Sequence, residues 1–131
     1  MAGIAATLLT APGMAHHSTA VFDHSRTETI SGTIKKYEWA NPHVWIFVTV
    51  PQADGNAITY GFESSAPVQL RSRGITYQSF KPGDRVTITM HPLKNGQSGG
   101  QFITATFADG RVLKTPDPAA VETPAATPAK P

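Results

Sequence analysis

Histidines and large aromatics are the side chains of this chain best suited to chemistry, because it contains no cysteine and therefore no thiolate ligand or thiol nucleophile. His16 and His17 follow Ala15 directly. If the chain begins at His16, the α-amine, the His16 imidazole and the amide or imidazole of His17 stand in one chelating neighbourhood. Nitrogen donors of that kind suit copper(II) above nickel or zinc, since affinity along the first-row divalent series peaks at copper and tetragonal geometry accepts them. His43 and His91 are the further candidate ligands, and His24 is the remaining imidazole; spacing alone does not decide whether they meet. The competing reading is a frayed terminus and turn histidines that bind nothing. Met90 would be a soft donor, but its alternation with Val86 and Ile88 assigns it to the core.

Trp39, Trp45 and Phe47 support a second expectation, a non-catalytic patch that docks a protein, a peptide or a small molecule. A nucleic-acid ligand is not expected, because eleven basic residues against nine acidic ones give a net charge of only +2 and no basic stripe is evident. Catalysis is not expected either. No acidic pair has a spacing that specifies acid and base roles, the Gly96 to Gly100 loop lacks the Lys-Ser/Thr and helix of a phosphate cradle, and no serine sits in a nucleophile elbow.

The elements that would carry these residues begin after a leader. Residues 1–11 are apolar or small, and Gly13 and Ala15 place small residues where a signal peptidase reads. Residues 1–15 are therefore expected to be the end of a signal peptide that lacks its basic n-region, the mature protein to be periplasmic or secreted, and no segment to span a bilayer. From Thr29 the texture is one of short strands and strong turns. Ile30 to Trp39 forms the first strand, with a phase slip between Ile34 and Tyr37 that predicts a β-bulge. His43 to Val50 alternates Val44, Ile46, Val48 and Val50 against Trp45 and Phe47. Asp54-Gly55 turns the chain into Ala57 to Glu63, with Ile58, Tyr60 and Phe62 inward. A short helix follows, capped by Ser65 and ended by Gly74, with Val68 and Leu70 as its apolar contacts. Arg85 to His91 and Gln101 to Phe107 are the fourth and fifth strands, and Asp109-Gly110 leads into a short extension at Arg111 to Leu113. Three strands, a helix and two strands is the order of an all-β, OB-like five-stranded antiparallel barrel, expected over residues 16–113, with a partly open sheet as the alternative. Residues 114–131, rich in proline and alanine, are expected to be a disordered tail.

Ala15-His16-His17-Ser18, Phe22-Asp23, Gly32-Thr33, Glu38-Trp39-Ala40-Asn41-Pro42-His43-Val44-Trp45, Phe62-Glu63 and Lys81-Pro82-Gly83-Asp84 occur in this order. Together they resemble a family of small secreted proteobacterial proteins of uncharacterised function. That resemblance implies export and a single mature domain, and brings no established activity. The combined expectation is a periplasmic metal-binding or metal-handling module using His16, His17, His43 and His91, with copper as the metal, against the alternative of an aromatic interaction domain. Intact mass of the exported protein is expected to correspond to a chain starting at His16; a product that retains Met14, or starts well beyond His17, would remove the terminal chelate.

Overall fold

The computed structural model describes residues 19–116. A 3-10 turn at Thr19–Val21 leads into β1 (Glu28–Glu38), β2 (Trp45–Pro51), β3 (Ala57–Glu63), helix α1 (Pro67–Arg71), β4 (Arg85–Pro92), β5 (Gly99–Phe107) and β6 (Val112–Lys114). The order across the sheet is β3-β2-β1-β4-β5-β6, and β5 also pairs with β3, so five strands close into a ring. The expected barrel with one short helix between the third and fourth strands is thus present, with one correction. The β3–β5 pair is parallel, through Gly61 with Gly99, Phe62 with Gly100 and Glu63 with Gln101, whereas every other pairing is antiparallel. The reason is parity: strand direction alternates from neighbour to neighbour, and an odd ring cannot alternate all the way round.

β1 turns the corner of the barrel. It pairs with β4 over Glu28 to Thr33 and with β2 over Thr33 to Glu38, and the register slips between Ile34 and Lys36. The phase change read from sequence is this bulge, which adds local twist where one strand must serve two neighbours. The Pro82-Gly83-Asp84 turn docks against it, the Gly83 N–H donating to the Ile34 carbonyl and the Ile34 N–H to the Asp84 carbonyl, both at 2.8 Å. Inside the ring, Val44, Ile46, Val48, Phe62, Ile88, Met90 and Phe102 form a continuous buried core. Met90 is 1% exposed, as its strand alternation requires.

Local chemistry differs from expectation in three places. Ser65 does not cap α1; the first helical turn starts from Ala66, whose N–H is held by Gln69 Oε1 at 3.3 Å. Leu70 is buried but Val68 is exposed, because a five-residue helix presents only one side to the barrel. Gly74, at φ 78°, ends it as expected: its N–H meets the Arg71 carbonyl and the Ile75 N–H the Leu70 carbonyl, while Ile75 and Leu70 are both buried. Ile58 is exposed instead of inward, since β3 meets β5 only from Gly61 onward. At the carboxyl-terminal end, Lys114 closes β6 and Thr115 is buried.

The closing seam is built on glycine. A Cβ on Gly99 would lie 2.3 Å from the Gly61 carbonyl oxygen, and one on Gly100 would lie 2.2 Å from the His91 carbonyl oxygen and 2.9 Å from Met90 Sδ. Gly100→Ala is therefore expected to lower unfolding stability by roughly 1–3 kcal/mol, the usual cost of overpacking. Urea denaturation measures it, and an unchanged midpoint would show that β5 can move off His91 and Met90 of β4 without loss.

Candidate functional site

Seam closure sets one row of residues across the outside of the barrel. In register order, Trp45 lies opposite Glu63, Glu63 beside Gln101 and Gln101 opposite His91. Trp45, Glu63 and Gln101 are half-buried and each alternates with buried neighbours, so they lie on an outer face, whereas His91 at the end of the row is buried. His43 stands just before β2, after a cis Asn41–Pro42 bond, and its Nδ1 ion-pairs with Glu63 Oε1. At the other end of the row His24 Nε2 bonds Gln101 Oε1 at 2.7 Å, and the His24 ring meets the His91 ring edge-on, with centroids 5.0 Å apart. Buried His91 donates from Nδ1 to the Arg26 carbonyl at 2.8 Å, which sets its ring in place.

The segment carrying His24 is strapped onto β4. Phe22 bridges Leu93, the Asp23 N–H donates to the Pro92 carbonyl at 2.8 Å, and the Lys94 N–H donates to the Val21 carbonyl at 3.0 Å. Asp23 steadies the turn that follows: it accepts from the Ser25 hydroxyl and N–H and pairs with Arg26, and the Ser25 bonds hold its carboxyl below the usual carboxylate range.

Two clefts open at His43. One, of about 270 Å³, is bounded by Ala40, Asn41, Pro42, His43, Trp45 and Glu63. The other, of about 150 Å³, lies among Pro42, His43, Ser64, Gln69, Gln101 and Phe102. The Ser64 hydroxyl at its wall is buried without a hydrogen-bond partner. Ser64, His43 and Glu63 have the side-chain types of a hydrolytic triad, but no hydrogen bond joins the serine to the imidazole.

Of the residues singled out from sequence, His43 and His91 lie along this row, while His16 and His17 lie outside the described residues. Among the described residues no group of three or more His, Asp or Glu side chains is gathered to hold a metal ion. The aromatic trio divides. Trp45 and Phe47 stack on the outer face, centroids 6.1 Å apart, over Gly61, where a Cβ would lie 3.3 Å from the Phe47 ring. Trp39 instead packs towards the core beside Tyr37 and under the Arg71 guanidinium, 5.6 Å from its ring centroid. Tyr37 donates to the Thr76 carbonyl, and burial pushes its phenol up. Gln101 and Ser64 were not singled out. Gln101 gains its role only from the parallel seam, but a serine two positions after Phe62, in the inward phase of β3, was a readable signal.

These elements define a small OB-like barrel that carries imidazoles and an aromatic pair along one outer face. The chain belongs to the DUF6152 family, a family of unknown function, whose model matches residues 5–102. Among solved structures it is similar to the mitochondrial single-stranded DNA binding protein Rim1 from S. cerevisiae, with a TM-score of 0.48 and 12% identity over 63% of this chain and 93% of that one. No curated protein matches it. Among the described residues, no helix is long and apolar enough to cross a membrane.

His24→Ala removes the Gln101 bond and the ring contact with His91 together. It is expected to cost about 1–2 kcal/mol and to speed hydrogen exchange at the Asp23 amide more than in the core strands. Unchanged exchange at Asp23 would show that the strap holds without the imidazole.

Proposed function

We propose that this protein is an exported metal-binding module that takes copper(II) through the α-amine of His16 and the imidazoles of His16 or His17, with His43 as the ligand supplied by the barrel. The observation that carries this reading is the His43–Glu63 pair at the mouth of a cleft. A carboxylate on one ring nitrogen orients a metal-binding imidazole and raises the basicity of the other. Imidazole and amine donors fit copper(II), and the chain has no thiolate to redirect the choice. The strap adds support, because the chain is pinned to β4 from Val21 onward, which reduces the entropy lost in ordering a ligand pair only a few residues upstream. His91 is left out of this ligand set, since its buried ring is engaged by Arg26 and His24.

A second reading rests on the Trp45–Phe47 stack, a half-buried aromatic pair on an outer face, which suits an interaction module docking a protein, peptide or small ligand.

Copper titration followed by electron paramagnetic resonance separates the two. The comparison is between protein starting at His16, the same protein with one extra alanine before His16, and the His43→Ala and Glu63→Gln variants. The extra alanine is expected to alter the spectrum, His43→Ala to remove a nitrogen ligand, and Glu63→Gln to weaken binding about 10–100-fold. Equal binding by all four samples, with zinc competing as well as copper, would favour the aromatic module.

A further inference from the structure

The smaller cleft at His43 has a donor pattern that the metal reading does not use. Gln69 Oε1 is committed to the Ala66 N–H, a group that can only donate, so the amide cannot be reversed without losing that bond. Gln101 Oε1 is committed to His24 Nε2 in the same way, with the imidazole donating. Both side chains are thereby left with their NH2 groups to offer, and both border the same space of about 150 Å³. Ser64 and Ser65 add hydroxyls. The Ser64 hydroxyl is the sharpest sign: the residue is 7% exposed, and its oxygen has no protein partner. A buried hydroxyl left so is unfavourable, and a ligand or an ordered water would offset that cost.

We infer that this cleft binds a small monocarboxylate. The polar residues bordering it carry amide and hydroxyl donors, which suit an acceptor-rich group, and no Asp or Glu is among the described residues that line it. Glu63 opens on the neighbouring cleft and is engaged by His43. Neither lysine nor arginine borders the space, so a doubly charged phosphate would lack its counter-charges, whereas a single carboxylate needs only convergent hydrogen bonds. Pro42 and Phe102 supply an apolar wall for a short alkyl group. The volume matches, at about 150 Å³, a cavity known to admit a benzene-sized molecule, so the alkyl group is only a few carbons long.

The inference stands apart from copper and is tested on chelator-treated full-length protein. Sodium acetate, acetamide and inorganic phosphate are titrated separately while the side-chain amide signals of Gln69 and Gln101 are followed by 1H–15N NMR. Acetate is expected to shift both signals saturably, with a dissociation constant in the millimolar range, and acetamide and phosphate to act at least about tenfold more weakly. Ser64→Ala is expected to weaken acetate about tenfold. Gln101→Glu, which keeps an acceptor for His24 while placing a negative charge at the cleft, is expected to abolish binding, and it decides the matter if Ser64→Ala does not fold. A non-saturable response to acetate, or equal responses to acetate and acetamide, would mean that the cleft holds only water and would overturn the inference. Because no metal is present, the outcome is independent of the copper experiment.

Discussion

Five strands that alternate in direction cannot close on themselves without one parallel contact, and the rest of this structure depends on where that contact falls. It falls between β3 and β5 over three residue pairs. Two backbones running the same way must approach closely there. The sequence meets the demand by placing Gly61 opposite Gly99, where a Cβ on Gly99 would overlap the Gly61 carbonyl oxygen; Gly100, opposite Phe62, is pressed instead against the His91 carbonyl of β4 on its other side. Gly99 also adopts φ 152°, a conformation that side chains of L-residues rarely tolerate.

The seam sets the chemistry of the outer face as well as the topology. It places Glu63 beside Gln101, and so joins two polar systems that belong to distant parts of the chain: the His43–Glu63 pair of the β2–β3 hairpin, and the His24, Gln101 and His91 group beneath the amino-terminal strap. Neither is deeply internal, apart from the buried His91 ring. Each polar group is instead fixed by a neighbour from another element, which is how a small barrel whose interior is filled with aliphatic and aromatic side chains can still hold polar groups in defined orientations.

Much of the fold was legible before the structure. Alternation located β2 through Val44, Ile46, Val48 and Val50, all buried, and the loss of phase after Ile34 located the bulge. Turn chemistry located the hairpin at Asp54-Gly55, where the Asp54 carboxylate accepts the Asn56 N–H at 2.9 Å. These are short-range signals, written within a few residues. The parallel seam is not short-range: Gly99 reads as a loop residue because its reason for being glycine is a strand almost forty positions earlier. Ile58 misled for a related reason, since alternation reports which side of a strand a residue is on but not whether anything covers that side. The site was legible in its residue types and not in its grouping. His43 drew attention beside Trp45, but its pairing with Glu63 follows from the β2–β3 register, and Trp39 is separated from Trp45 because it precedes the Asn41–Pro42 turn and packs with Tyr37.

The carboxyl-terminal boundary carries a practical consequence. Thr115 is 3% exposed; its N–H donates to the Ile103 carbonyl at 3.0 Å, and its hydroxyl is shared between the Phe102 and Ile103 carbonyls at 3.1 and 3.2 Å. A chain cut after Leu113, where the hydrophobic pattern ends, would leave these carbonyls of the strand that carries the seam without their Thr115 donors and shorten β6 by its last residue. The minimal unit for expression, crystallisation or fusion to another domain is therefore one that retains Thr115, a limit defined by polar backbone groups and invisible to a hydropathy profile.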